Sequence, residues 1–186
     1  MRGLEFPRPL RILEIGVFEG RTACWFCKHL LREPGERYFG IDPWDPAKMT
    51  GRRYRGRAEE MTAGHERTAK KALADYPQAE LLKGYSRDVI PAMSKAAGWE
   101  PRGAWPPGYF GLIYVDGEHY FDPVMADSRL CWPLLNPEGG IMVWDDYRMR
   151  RRQTGVQEAV DAFLEEHRGE YEDLFSNGQR GIRRVS

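Results

Sequence analysis

Five short runs rich in β-branched and apolar residues recur along the chain: RILEIGV (11–17), RYFGID (37–42), AELLKG (79–84), FGLIYVD (110–116) and GIMVWDD (140–146). Between them lie longer stretches with helical spacing, near 21–32, 58–76, 87–97 and 122–135, and a fifth follows near 155–168. Strands separated by helix-length segments are joined by crossovers rather than hairpins, so the pattern predicts an α/β fold around a largely parallel sheet. In the fourth helical segment Val124, Met125, Ser128, Cys131, Trp132 and Leu135 recur on one face, and Asn136-Pro137 with Gly139-Gly140 ends it. In the fifth, Val156, Ala159, Val160, Phe163 and Leu164 make the inward stripe. The tail YEDLFSNGQRGIRRV centres on Asn177-Gly178, the signal of an antiparallel hairpin.

A chain of 186 residues suits one substantial core, so residues 1–186 are read as a single domain. Lys plus Arg and Asp plus Glu both number 28, so no global field marks a nucleic-acid or membrane binder. The opening MRGLEFPRPLRILEIG mixes charges and prolines with one short apolar run, unlike a signal peptide or a spanning helix, and a cytoplasmic location is expected. Three cysteines do not suggest a disulfide framework. Cys24 and Cys27, with His29 close behind, lie in an apolar helical stretch without a second pair at zinc-ligand spacing, and are read as buried helix residues. The Pro- and Trp-rich piece 98–109 is expected at the sheet end away from the ligand crevice, as loop packing or a subunit contact.

In an open parallel sheet ligands bind beyond the carboxyl ends of the strands, beside the first strand. The turn there reads ILEIGVFEGRT, with Glu14, Gly16 and Gly20 as E-x-G-x-x-x-G. Glycines allow a tight turn and close approach to a ligand, and the helix that follows offers unpaired N–H groups. The spacing is not G-x-G-x-x-G, which weakens a nicotinamide-binding reading. Strand two ends in Asp42, placed to accept from ribose hydroxyls. The plain alternatives are a packing turn and a helix-capping aspartate.

Strand four ends in Asp116 and strand five in Asp145-Asp146, and as sheet neighbours those strand ends lie about 5 Å apart. Carboxylates that close repel unless a hard cation keeps them ionised, with Mg2+ the first choice and Mn2+ the second. The alternative is that Asp145 and Asp146 cap the turn; both reach one ion only where the strand has already ended, since successive residues point to opposite faces. His119, three residues after Asp116, titrates near neutrality and could take a proton from a substrate hydroxyl, or instead cap a helix or join the metal shell. His29, His65 and His167 are expected in helices without a chemical role.

Together the segments ILEIGVFEGRT, FGLIYVDGEHYFDPVMADSRLCWPLLNPEGGIMVWDDY and TGVQEAVDAF resemble class I S-adenosylmethionine-dependent methyltransferases, most sharply methyltransferase family 24. The resemblance implies a Rossmann-like, mostly parallel seven-stranded sheet in the order 3-2-1-4-5-7-6 with helices on both faces. It implies S-adenosylmethionine as cofactor, with Gly16 and Gly20 along its methionine part, Asp42 at the ribose, Ser86 at the adenine, and Glu14 and Asp116 completing the cofactor set. Many relatives carry an acidic residue where this chain has Tyr85. The Asp after strand four and the acidic pair after strand five are similar to metal-dependent O-methyltransferases, which implies Asp116, Asp145 and Asp146 as metal ligands and His119 and Asp116 as catalytic.

Arg52, Arg53, Arg55 and Arg57 follow strand two, and Arg148, Arg150, Arg151 and Arg152 follow strand five. They suit a small anionic or sugar-like substrate, or are solvated loop charge. Nucleic acid is disfavoured, because DDYR stands where base-amino methylation would need [DNS]-P-P-[YFW] and no aromatic stacking surface is evident. No cap segment closes the site, so the loop 43–58 or the second subunit of a homodimer would have to. The alternatives are an NAD-dependent oxidoreductase on a similar sheet and a non-catalytic S-adenosylmethionine-binding protein.

Overall fold

The computed structural model describes residues 3–48, 55–95, 105–148 and 155–185. Seven strands form one sheet: β1 (Arg11–Ile15), β2 (Arg37–Asp42), β3 (Ala79–Lys83), β4 (Leu112–Val115), β5 (Ile141–Trp144), β6 (Tyr171–Ser176) and β7 (Arg180–Arg184). Their order is β3-β2-β1-β4-β5-β7-β6, with β7 antiparallel to β5 and to β6. This is the order that the family resemblance implies, with the terminal hairpin predicted from Asn177-Gly178. The helices are α1 (Arg21–His29), α2 (Ala58–Ala72), α3 (Ser86–Lys95), α4 (Phe121–Cys131) and α5 (Val156–Glu166). The fourth helix stops earlier than its apolar spacing suggests. Pro133 has no N–H to continue the α-helical ladder, and Trp132–Leu134 tighten into a 3-10 turn instead.

Strand alternation divides the core between the two faces. Ile12, Tyr38, Leu112, Tyr114, Ile141 and Val143 pack with Phe26 and Cys27 of α1 and Ala69 of α2. The intervening positions Leu13, Ile41, Ile113, Val115, Met142 and Trp144 pack with Val124 of α4 and Phe163 of α5. Trp144 is fully buried, and its indole N–H donates to Ser128 Oγ at 2.8 Å, so the ring fills the core without leaving a polar atom unpaired. Burying a side chain such as Phe163 contributes roughly 2–3 kcal/mol.

Of the Pro- and Trp-rich piece, residues 98–104 lie outside the described residues, while Trp105 is buried edge-to-face against Phe39 and Phe110, as packing would have it. Burial pushes the Cys27 thiol up to about 12, which disfavours the thiolate that metal binding or redox exchange requires. His29 closes α1 and His65 lies within α2, whereas His167 sits one residue past α5, stacked on Trp132 and Phe163. Among the described residues no helix is long and apolar enough to cross a membrane.

Candidate active site

β1 stops at Ile15 because the chain turns at Gly16, whose φ is 90°. A Cβ there would lie 1.9 Å from the Asp116 carbonyl oxygen, so only glycine lets the first turn sit against the end of β4. Gly20, with φ 77°, occupies the N-cap of α1. The turn is pinned from the side by Asp42: its Oδ2 accepts from the N–H groups of Val17 at 2.9 Å and Phe18 at 2.8 Å, and its Oδ1 from Trp44 N–H at 2.7 Å. Each carboxylate oxygen has two lone pairs, so Asp42 keeps acceptor capacity toward a ligand. His65, for which the sequence suggested no role, braces the same turn with Nδ1 2.9 Å from Glu19 Oε1 and its ring 4.2 Å from that of Phe18. Glu14 is buried and accepts from Tyr38 Oη at 2.5 Å; burial pushes its carboxyl well above the usual range, and the charges of Asp116, Asp42 and Asp145 add to the effect.

The turn and Asp42 border a cavity of about 470 Å³ beyond the carboxyl ends of the strands, within the size range of small-molecule sites. Glu14, Gly16, Asp42, Ser86, Asp116 and His119 all face it; Gly20, Asp145 and Asp146 are not among its lining residues. Across its mouth Lys48 Nζ meets Glu118 Oε1 at 2.7 Å, and Tyr85 Oη donates to Asp45. Ser86 opens α3 and its hydroxyl donates to the carboxylate of Asp127 on α4, which is 7% exposed. Asp127 escaped the sequence reading, although its place among the buried Val124, Ser128 and Cys131 was visible as a charge on an apolar helix face. Burial pushes its carboxyl up to about 6.

The native state therefore holds the Asp127 proton more tightly than the unfolded chain, and stability is lost as pH rises from about 4 to about 6. Asp127→Asn is expected to unfold at a higher temperature than the wild type at pH 7, with the difference closing near pH 4. Scanning calorimetry at the two pH values checks this; equal melting temperatures at pH 7 would contradict the burial cost.

Beside the Gly16 turn Asp116 leaves β4, its N–H donating to Ile15 O at 2.8 Å. His119 Nε2 lies 3.3 Å from Asp146 Oδ2 and 4.0 Å from Asp116 Oδ1. One donor atom from each of Asp116, His119 and Asp146 falls within 4.8 Å of the others. Asp145, expected in the same cluster, is held elsewhere: Gln179 Nε2 donates to its Oδ1 at 3.0 Å and to Tyr114 Oη at 2.8 Å. The cause is strand alternation. Asp145 continues the α1-side face of Val143, whereas Asp146, with φ 52°, breaks from the strand and turns toward His119. Burial first, then the charges of Asp145 and Asp146, raise the Asp116 carboxyl. The Asp116 and Asp146 carboxylates raise the His119 imidazole.

Two carboxylates and an imidazole, from the turns after β4 and β5, fit a divalent cation, and a nitrogen donor suits Mn2+ better than Mg2+. Of the arginine clusters, Arg52, Arg53, Arg150, Arg151 and Arg152 lie outside the described residues. Arg57 pairs with Glu60 at 3.5 Å, and Arg148 reaches Ser176 Oγ at 3.4 Å.

Residues 13–147 match the methyltransferase domain family 24. A curated relative, the uncharacterized protein R132 of Acanthamoeba polyphaga mimivirus, is 25% identical over 161 residues, which are 83% of this chain and 59% of that protein. The chain thus spans less than two thirds of that relative's length. Among solved structures, the O-methyltransferase TomG from Streptomyces achromogenes, involved in tomaymycin synthesis and determined with S-adenosylmethionine, superposes with a TM-score of 0.61 at 20% identity, over 95% of this chain and 73% of that one. An O-methyltransferase from Bacillus cereus in complex with S-adenosylhomocysteine gives 0.60 at 15% identity, over 95% and 74%. At these identities the likeness is one of fold. The family match spans both the glycine turn and the acidic strand ends, and the sheet order agrees with it, so the chain belongs to the methyltransferase domain family 24 and has the class I methyltransferase fold.

Proposed function

We propose that this protein transfers the methyl group of S-adenosylmethionine to a hydroxyl of a small acceptor and uses a divalent cation to do so. The observation that carries the reading is the meeting of Asp116, His119 and Asp146 beside a cavity that Asp116 and His119 line together with Gly16 and Asp42. The Gly16 turn and Asp42 would take the methionine part and the ribose, leaving the sulfonium beside Asp116. Asp116 and Asp146 would hold the cation. Bound there, it would lower the pKa of the acceptor hydroxyl and orient its oxygen.

His119 accepts the hydroxyl proton at Nε2 as the oxygen attacks the methyl carbon in line. The O–CH3 bond forms, the S–CH3 bond breaks, its electron pair stays on sulfur, and S-adenosylhomocysteine is left. The imidazole's partial exposure gives the proton a route to water. An anionic or sugar-like acceptor is part of the proposal, on the support of exposed Arg148 just past Asp146. An oxidoreductase reading is not favoured, since the family match is to methyltransferases.

A methyl-transfer screen with radiolabelled S-adenosylmethionine over hydroxylated sugars, catechols and phosphorylated metabolites tests the reading, with Mn2+, with Mg2+ and with a chelator. Metal-stimulated transfer to at least one acceptor is expected. Cofactor binding with no transfer to any of them, metal or not, would instead support a binding protein.

A further inference from the structure

Gly84, Tyr85, Ser86, Gly117 and Asp127 all line the cavity, with Asp127 joined to Ser86 and lying beside Gly117. With the sulfonium beside Asp116 and the ribose hydroxyls on Asp42, the purine would lie against these residues. The turn after β3 offers it no free carboxylate: Tyr85 is bound to Asp45, and Arg87 stacks 4.4 Å above the Tyr85 ring. Of the neighbouring acids that line this space, Glu118 is paired with Lys48 and Asp45 with Tyr85, while Asp127 comes from α4. Its Oδ1 accepts from Ser86, and among the described residues it has no ion-pair partner. Its Oδ2 lies on the Gly117 side, where an added Cβ would come to 3.3 Å, so the missing side chain of Gly117 leaves that oxygen open to the cavity. A carboxylate this deeply buried with a single hydrogen-bond donor is costly to maintain unless a ligand supplies another.

We propose that Asp127 Oδ2 accepts a hydrogen bond from the 6-amino group of the cofactor's adenine, with Ser86 holding the carboxylate in place, so that Asp127 selects adenine over a 6-oxopurine. The inference rests on the S-adenosylmethionine reading above. A 6-oxo group would bring a second acceptor against the carboxylate, and such a clash rejects the wrong base as effectively as the hydrogen bond favours the right one.

Calorimetric titration of the full chain with S-adenosylhomocysteine and with S-inosylhomocysteine is the test. The wild type should prefer the adenosyl ligand by about 100-fold. Asp127→Asn, whose amide can donate to a 6-oxo group, should lose about 10- to 100-fold in affinity for S-adenosylhomocysteine while binding S-inosylhomocysteine at least as well as the wild type. Ser86→Ala should lower the preference by a smaller factor, as an independent check on the same contact. Equal weakening of both ligands in both variants, or no preference in the wild type, overturns the role of Asp127 while leaving the cofactor reading intact. Failure of the wild type to bind S-adenosylhomocysteine at all overturns both.

Discussion

Replacing Gly16 with alanine is expected to abolish measurable S-adenosylhomocysteine binding and to destabilise the fold by about 2–4 kcal/mol. The new Cβ would fall 1.9 Å from the Asp116 carbonyl oxygen and 2.5 Å from its carbon, and neither can retreat, because β1 and β4 are paired through Ile15 and Val115. Alanine also resists a φ of 90°. Relief of the clash must push the first turn away from β4 and into the cavity. Gly20→Ala makes the contrast: its Cβ would meet the Ala69 Cα at 3.1 Å, a contact that a small shift of α2 relieves, so a milder loss is expected. Urea unfolding and ligand calorimetry on the two variants read both effects. A Gly16→Ala protein with wild-type stability and affinity would mean that the turn and the end of β4 do not form one wall of the site.

Asp116→Asn and Asp146→Asn are each expected to lower kcat by about a thousandfold or more and to weaken Mn2+ binding, since each removes a carboxylate from the proposed cation site. Asp145→Asn should retain most of both, because Gln179 engages that side chain outside the cluster. His119→Ala separates two roles that its position allows. An unchanged Mn2+ dissociation constant with a fall in kcat of about 100- to 10,000-fold identifies the proton acceptor. A weakened Mn2+ affinity identifies a third ligand, which its place within the 4.8 Å group would also permit. Should Asp145→Asn weaken the metal as much as Asp146→Asn does, the grouping drawn from the structure is wrong.

Much of this was legible in one dimension. The period-two and period-3.6 patterns placed five strands and five helices, the Asn177-Gly178 turn marked the antiparallel hairpin, and E-x-G-x-x-x-G located the end of β1 at which the cavity opens. These signals are local, and local backbone preference with side-chain alternation is enough to carry them. What local pattern could not decide is where a side chain goes once its strand has ended. Asp145 and Asp146 are adjacent in the chain, yet a positive φ at Asp146 and the arrival of Gln179 from the β6–β7 hairpin send them to different partners. Asp127 is the same case in a helix. Its spacing announced a buried position, but the meaning of a charge there depends on Ser86, 41 residues away, and on a glycine at 117 that leaves one oxygen uncovered. The sequence by itself determined the strands, the terminal hairpin and the end at which the cavity opens, and its family resemblance supplied the strand order. Only the tertiary structure decided which carboxylates share a space, because that depends on contacts between segments that no periodicity connects.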